Sequence, residues 1–396
     1  MGGKWPKNIC KKNSNGSPRG TARFSPQSAR HLWHRRRRRL RTVLGEIELK
    51  VWHGQDPGDG HWGCPLQERW GLGPHQKITP GLADKLCFTV TATGSYEEAS
   101  AVAAKWGCPI DDSTLHGLVQ RKGAQAEAQT QARLETPAKE IEPRRKASEL
   151  AVLLLDGWLA RFRGPGWGAQ RTPKARVEWH EIKTGVFYLH EQAARKQNGR
   201  GVLSDKVIVS WQGVPVELGR RLNWEALHRG LAQAQERLVL GDGSAWIWNV
   251  KADRWKEARE LLDFYHGSEH LWQLGRALKG EASAAAWVEP RLQRLRHGKE
   301  KQVLEEIARL KPKGQAGPAA EEQQGYFAGQ AGRMNYAEVA SRGWPIGSGA
   351  VESACRQKQC RFKRPGQFWT AEGLRHLCAL DEARRNGHWH ELWYDD

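Results

Sequence analysis

Residues 149–162 read ELAVLLLDGWLARF, an apolar run that reaches one carboxylate, Asp156. Short apolar runs bounded by turn residues are typical of buried strands. Three later runs are also rich in apolar residues and predict strands: VEWHEIKTGVFYLHE at 177–191, KVIVSW at 206–211 and RLVLGDG at 237–243. A helical pattern at 215–236 separates the last two. The chain from residue 148 onward therefore predicts an α/β domain.

Helices are predicted to follow the fourth strand. We expect residues 255–311 to be largely helical and residues 312–324 to be a loop rich in Gly, Pro, Ala and Gln. Residues from Ala350 onward are again predicted to be helical. Three strands, a helix, a fourth strand and then helices is the order of an RNase H-like domain, which is the fold that we expect here.

The first 147 residues have a different composition. Residues 1–41 are dominated by Gly, Ser, Pro, Asn and basic side chains, which predicts a disordered basic arm. Residues 42–75 predict one strand and a loop, and residues 76–147 predict helices and a linker. The arm ends in five arginines, which could bind DNA phosphates without reading sequence. These are Arg35, Arg36, Arg37, Arg38 and Arg39.

A helix-turn-helix pattern lies within residues 95–122. Ser95 and Glu98 form a capping box that begins one helix, Gly107 ends it, and a second helix begins near Asp112. The second helix of such a pair enters the major groove of DNA, although a plain helical hairpin remains the alternative. The residues that we expect to contact DNA from it are Ser113, Thr114, His116, Gln120 and Arg121.

Composition narrows the class of partner. Lys and Arg number 63 against 44 Asp and Glu in 396 residues, a formal charge of +19 that favours nucleic acid first and anionic membrane second. No apolar run approaches the roughly 20 residues of a membrane-spanning helix, and the basic N-terminus lacks the apolar segment of a secretory signal. The seven cysteines form no C-x-x-C pair. We therefore expect a cytoplasmic protein that has reduced thiols and no membrane partner.

Three carboxylates stand out. Asp156 and Asp242 each follow an apolar run and precede a glycine, and strand ends that deliver carboxylates are where α/β sheets build sites. Glu352 lies in the predicted first turn of a helix that Ser348 could cap. Each feature also has a structural explanation, because Asp-Gly is common in turns and a carboxylate is favoured at a helix N-terminus.

A longer pattern surrounds these carboxylates. The stretches are GWPIGSGAVESACRQKQCRFKRPGQFW at 343–369, ARRNGHWHELW at 383–393, YFAGQAGRMNY at 326–336, VLLLDG at 152–157, VEWHEIKTGVFY at 177–188, LGDGSAWIWN at 240–249 and LLDFYHGSEHLW at 261–272. In their order along the chain they resemble the ISKra-type DDE transposases of bacterial insertion sequences, which implies a bacterial protein associated with the nucleoid. The resemblance covers about residues 76–396, and its C-terminal motif is long and specific.

The resemblance implies a function and a set of site residues. Asp156, Asp242 and Glu352 would be a catalytic triad that binds two Mg²⁺ or Mn²⁺ ions, which suit hard carboxylate oxygens. Asp263 and His266 would match an Asp-x-x-His element that supports the triad from a second layer. The implied partners are transposon ends and target DNA, bound by a homo-oligomer. The implied domains are the first part of an RNase H-like domain at 148–274, a helical insertion at 275–335 and C-terminal helices at 336–396.

Basic residues crowd the segment after Glu352. Neutralisation of the DNA backbone beside the triad and a solvated helix face are equally compatible with this pattern. The residues are Arg356, Lys358, Arg361, Lys363 and Arg364. Cys355 and Cys360 are expected to be small buried groups.

Three other interpretations remain open. His266-x-x-Glu269-His270 matches the H-x-x-E-H pattern of inverted zinc metalloproteases, although no third ligand can be assigned. A catalytically inactive or decayed DNA-binding protein would retain the basic charge. A zinc site could also form in the loop that carries His53, His61 and Cys64, but scattered ligands are a weaker signal than C-x-x-C pairs.

Overall fold

A computed structural model describes residues 33–55, 60, 62–73, 76–144, 148–167, 176–197, 201–311, 314 and 316–394. The chain divides into two compact units, residues 1–85 and 86–396. No helix in the described residues is long and apolar enough to cross a membrane.

The first unit contains a three-stranded antiparallel sheet in the order β1-β2-β3. Its strands and its short helix are β1 (Trp33–Thr42), β2 (Gly45–Gln55), β3 (Trp62–Gly63) and α1 (Pro65–Arg69). The prediction of a strand within 42–52 is confirmed by β2. The backbone of Arg41 extends this unit by pairing with Lys77 and Thr79.

The disordered arm predicted for residues 1–41 is wrong for residues 33–41, which belong to β1, while residues 1–32 lie outside the described part of the chain. The five arginines are compatible with a strand because their charges have partners or reach solvent. Arg37 and Arg39 both contact Glu48 across the hairpin, Arg38 donates to the Gln76 carbonyl at 2.7 Å, and Leu40 is buried.

The second unit begins within a helix and continues into a helical pair. The helices are α2 (Pro80–Ala92), which starts in the first unit, α3 (Tyr96–Lys105) and α4 (Asp112–Leu134). The predicted capping box is confirmed, because Ser95 accepts a hydrogen bond from the Glu98 backbone at 3.0 Å. Gly107 is left-handed just past the end of α3, and α4 then buries Leu115 on its apolar face.

A five-stranded mixed sheet in the order β10-β9-β4-β5-β8 is the centre of the second unit. β4 runs parallel to β9 and antiparallel to β5, β8 is antiparallel to β5, and β10 is parallel to β9. A two-stranded sheet, β6-β7, stands apart. The strands are β4 (Ser148–Arg163), β5 (Val177–Leu189), β6 (Ala193–Arg195), β7 (Gly201–Leu203), β8 (Val207–Gln212), β9 (Ala234–Gly241) and β10 (Arg259–Leu262).

Helices pack on this sheet and extend beyond it, so the predicted α/β class is confirmed. α5 lies against β5 and β8, where Gly185 leaves space for Leu222: a Cβ at Gly185 would stand 2.5 Å from that side chain. The helices are α5 (Pro215–His228), α6 (Ala245–Arg254), α7 (Phe264–Lys279), α8 (Glu281–Arg296), α9 (Glu300–Ala308), α10 (Ala316–Gly329), α11 (Tyr336–Ser341), α12 (Gly349–Phe362) and α13 (Ala371–Asn386).

Several details differ from the sequence-based predictions. The helix predicted at 215–236 ends at His228, and residues 234–236 belong to β9. Asp156 does not end its strand, because β4 continues through it while paired with β5. Residues 259–262 form β10 within a segment predicted to be helical. The loop predicted at 312–324 is wrong for residues 316–324, which begin α10.

The α4–α13 contact depends on the absence of a side chain at one position. A Cβ at Gly123 would stand 2.4 Å from the backbone oxygen of His376, whereas one at Gly117 would meet only the flexible end of Arg121 at 3.6 Å. Both glycines lie in α4. The two positions should therefore respond in opposite ways to the same substitution.

Gly117→Ala should stabilise the protein by about 1 kcal/mol, since alanine is the better helix former. Gly123→Ala should instead destabilise it by about 1–3 kcal/mol, because the helices must move apart. Urea unfolding of both variants measures the difference. Equal effects at the two positions would contradict the close packing of α4 on α13.

Candidate active site

The sheet register brings three aspartates together. Leu155 of β4 pairs with Gly241 of β9, and Gly241 pairs with Leu262 of β10. The next residues are Asp156, Asp242 and Asp263. They therefore lie side by side on three adjacent parallel strands, at the carboxyl end of β9 and β10.

Glu352 reaches the same place from a helix. It lies in the first turn of α12, which packs on β4 and β5. The Ser348 hydroxyl contacts an oxygen of Asp263 and also lies 2.8 Å from Glu352 Oε1. Ser348 thus does not cap α12 with its side chain, as the sequence suggested, but connects the helix to the strand ends.

The carboxylates influence one another electrostatically. Burial raises the pKa of Asp156, and the neighbouring charges of Asp242 and Glu352 raise it further, against hydrogen bonds from Gly157 and Cys355. Burial and the Glu352 charge likewise raise the pKa of Asp263. The Ser348 hydroxyl has one proton, so it can donate a hydrogen bond to only one of its two carboxylate neighbours. The other carboxyl group can complete the pair of hydrogen bonds if it carries a proton of its own and donates it to the Ser348 oxygen. The site concentrates negative charge that a cation would neutralise.

The loop after β9 is held by the segment predicted as a helical insertion. Asp242 Oδ1 accepts a hydrogen bond from the Ser244 backbone at 2.8 Å, and Gly243 has a φ of +98°. The Tyr326 hydroxyl of α10 donates to the Asp242 carbonyl at 3.0 Å, and the amide of Gln330, just past the end of α10, donates to the Gly243 carbonyl at 3.0 Å. Neither Tyr326 nor Gln330 could be identified from sequence as a residue that holds this loop, because both contacts are to backbone oxygens.

His266 and His270 lie one turn apart on α7, next to this loop. Their Nε2 atoms are 3.3 Å apart, and the His270 ring stacks on Tyr326 at 3.6 Å between centroids. His270 Nδ1 is 2.6 Å from Gln323 Oε1, and Glu269 is largely exposed. Among the described residues, no third His, Cys, Asp or Glu closes a metal cluster with this pair. The geometry therefore does not favour the protease interpretation.

Cys355 was expected to be buried, and it is: it hydrogen-bonds to Asp156 and its pKa is raised mainly by burial. The same expectation is wrong for Cys360, which is exposed because it lies on the outer side of α12. The zinc loop gains no support either, since His61 lies outside the described residues and His53 contacts the rings of His34 and Trp62.

Two of the basic residues predicted to bind DNA after Glu352 are in the interior. Lys358 is 1% exposed and lies 2.9 Å from Asp381, so it is not available to DNA. Arg361 is also buried and donates to the carbonyls of Val90 and Gly94. The prediction is wrong for both because they lie on the inner face of α12. The more accessible cations are Arg356, which is exposed, Lys363, which lies over Trp179, and Arg364, which pairs with Glu98.

Some of the residues of α4 that were predicted to contact DNA are exposed, and others are engaged within the protein. Gln120 faces α13, where its Oε1 lies 2.8 Å from His376 Nδ1, so the prediction is wrong for this residue. Ser113 and Thr114 bind the carboxylate of Asp111 at the helix N-terminus. The exposed ones are Ser113, His116 and Arg121.

The chain belongs to the UPF0236 family, an uncharacterised protein family that it matches over residues 27–392. Two UPF0236 proteins of Caldanaerobacter subterraneus subsp. tengcongensis are similar to it. One is 25% identical over 245 residues and the other 24% identical over 245 residues. Each match covers 59% of this chain, but only 44% of the first relative and 45% of the second. The name of the first relative joins eleven numbered designations.

Asp156→Asn should raise the thermal stability of the metal-free protein at neutral pH. A carboxyl whose pKa is raised by folding stabilises the fold most below its unfolded pKa, and this contribution is lost as pH rises through the folded pKa. Asparagine is neutral at every pH, so it avoids that loss. Calorimetry in EDTA from pH 4 to pH 8 tests this expectation. A stability gain that is largest at the acid end would contradict the assigned sign.

Lys358→Ala should destabilise the protein by about 3–5 kcal/mol, since it leaves buried carboxylates without their cation. The exposed Arg356→Ala on the same helix should change stability by less than about 0.5 kcal/mol. Chemical unfolding of both variants measures this contrast. A mild effect at Lys358 would contradict the structural importance of its buried pair with Asp381.

Proposed function

We propose that this protein is a DDE-type transposase, a metal-dependent enzyme that cuts DNA and joins the freed 3′-hydroxyl to a second strand. The observation that carries the proposal is the convergence of Asp156, Asp242 and Glu352, which are 86 and 110 positions apart in sequence. Local structure cannot bring such distant carboxylates together, and their mutual repulsion has a cost without a cation.

We further propose that the sheet and its helices form an RNase H-like domain. Numbered along the chain, the five central strands have the order 3-2-1-4-5, and the second runs antiparallel to the first. α5 connects β8 to β9, as the expected order of elements requires. The helices α8, α9 and α10 then lie between β10 and the helix of Glu352, where the resemblance implies an insertion.

The donor set fits Mg²⁺ or Mn²⁺. The ligands would be the carboxylates of Asp156, Asp242 and Glu352, and the charges of the last two add to burial in raising the pKa of Asp156. When bound, two such ions supply an activated water or hydroxyl and stabilise the leaving oxygen of the phosphodiester. Asp263 holds Ser348, and through it Glu352, in position. Tyr326 and Gln330 fix the loop that carries Asp242.

Two features support DNA as the substrate. A cavity of about 850 Å³ opens where the β6–β7 sheet approaches the start of α12, and its lining includes Arg195, Lys206 and the exposed ring of Tyr265. Cations and an exposed aromatic ring suit a DNA strand, whose phosphates and bases they can contact. One relative has a name that joins eleven numbered designations. Several copies of one gene in a genome would produce such a name, and a mobile element makes such copies.

A DNA-binding protein that has lost catalysis is the second candidate. It would explain the charge of +19 but not the retention of carboxylates on three adjacent strands. The two candidates differ in one measurable property, which is metal-dependent strand cleavage.

The purified protein should nick a supercoiled plasmid that carries its gene with the natural flanking DNA, and nicking should require Mg²⁺ or Mn²⁺. Asp156→Asn should abolish nicking and retain DNA binding, because it removes a metal ligand and no DNA contact. Glu269→Gln should nick normally, since this exposed glutamate would be the base only in a protease. Binding without cleavage by the unmodified protein, with either ion, would favour the inactive alternative.

A further inference from the structure

A second cluster of potential metal ligands lies away from the carboxylates described above. Glu225 and His228 are three residues apart on α5, and His388 follows the end of α13. Each offers one ligand atom, and these atoms all lie within 4.8 Å of one another. Among the described residues, this is the one group of three His, Cys, Asp or Glu residues that meets this spacing.

The hydrogen bonds of His388 require a cation or an extra proton. Its Nδ1 lies 3.1 Å from Glu391 Oε1 and its Nε2 lies 2.9 Å from Glu225 Oε1. A neutral imidazole has one N–H, so one ring nitrogen would direct a lone pair at a carboxylate oxygen. His388 is 2% exposed and Glu225 is 8% exposed, so water cannot easily relieve this repulsion.

Two polar atoms of the cluster have no partner among the described residues. Glu225 Oε2 and His228 Nδ1 are both buried and accept or donate no hydrogen bond. A cavity of about 20 Å³ beside Glu225 and His388 is lined also by Trp224 and Arg133. A cavity of that volume can hold one water-sized particle.

We propose that Glu225, His228 and His388 bind one Zn²⁺ ion, with Glu391 accepting the Nδ1 proton of His388. Two histidines and one carboxylate are a ligand set that zinc accepts at about 2.0–2.2 Å, with a water in the fourth position. A carboxylate on the outer nitrogen of a zinc-bound histidine fixes its tautomer, which is the position of Glu391. The ligand atoms already lie within 4.8 Å of one another, so small side-chain shifts would bring them to tetrahedral spacing around one ion.

The neighbouring cations are compatible with this site. Arg133 pairs with Glu391, and the buried Arg229 pairs with Asp205. Arg144 is exposed, and its Nε donates to His228 Nε2 at 3.2 Å. Arg144 must give up this contact in either case. If Nε2 of His228 binds the ion, its lone pair is used; if Nδ1 binds the ion, Nε2 carries the proton and cannot accept.

The ion would act as a structural clamp. It would join α5 to the segment after α13, where the left-handed Gly387 ends the helix and His388 turns inward. Bound metal stabilises only the folded state, so the thermal stability of the protein should rise with zinc concentration. This inference does not depend on the proposed transposase activity, since it concerns different residues and a different metal.

The test uses tag-free full-length protein, desalted after exposure to ZnCl₂ and assayed for metal by mass spectrometry. We expect one zinc per chain in the unmodified protein and in Asp156→Asn, and almost none in His388→Ala. His390→Ala is the matched control, because this exposed histidine lies in the same segment and should not affect zinc content. Arg144→Ala should bind zinc at least as tightly as the unmodified protein.

Cobalt substitution gives a readout that a folding defect cannot imitate. Co²⁺ in the unmodified protein should show the intense visible bands of tetrahedral coordination, and Glu391→Gln should retain them with 10–100-fold weaker metal affinity. Far-UV circular dichroism checks that each variant is folded. Equal zinc content in His388→Ala and the unmodified protein, or no zinc in either, would overturn the proposal; His388 would then serve only as a hydrogen-bonding bridge between two glutamates.

Discussion

The change of neighbour along β4 is the constraint on which the rest of the site depends. β4 has 16 residues, but β9 pairs with it only from Ser148 to Leu155. Beyond Leu155 the strand continues against β5, and Trp369 joins its other side only farther along, at Phe162, so β9 no longer covers the backbone at Asp156. Because β9 and β10 end at the same level, the residues that follow them arrive beside Asp156 without a local motif. The register of the sheet thus determines which residues meet at the site.

The fourth carboxylate depends on buried charges instead. Glu352 is delivered by α12, and α12 is anchored by Lys358, which contacts Asp381 at 2.9 Å and Glu382 at 3.6 Å. Burial raises the pKa of Glu382 to about 7, while the pKa of Asp381 is held far below its usual range despite burial, since Lys358 and Arg385 face it. Breaking such a buried network costs more than losing a surface pair. Among the cations after Glu352, Lys358 therefore positions the helix from within.

Much of the sheet could be predicted from sequence because its strands are apolar and bounded by turn residues. β10 was missed because RELL is short and half-charged, and only its pairing with β9 identifies it. α10 was predicted as a loop because it contains Gly and Pro, yet Pro318 lies in the first turn, where a helix needs no backbone donor. The inward position of Lys358 could not be predicted, since it depends on Asp381 in another helix.

The packing of α4 has a consequence for how DNA recognition and chemistry would be coupled. α4 buries Leu115, Leu118 and Val119, and Gly123 allows its backbone to approach α13, which in turn lies against β8. α4 therefore belongs to the same compact unit as the sheet, the unit of residues 86–396. The exposed side of α4, with His116 and Arg121, is fixed relative to the strand ends that carry the aspartates. DNA held by that side would meet the carboxylates at a distance set by helix packing rather than by a flexible linker.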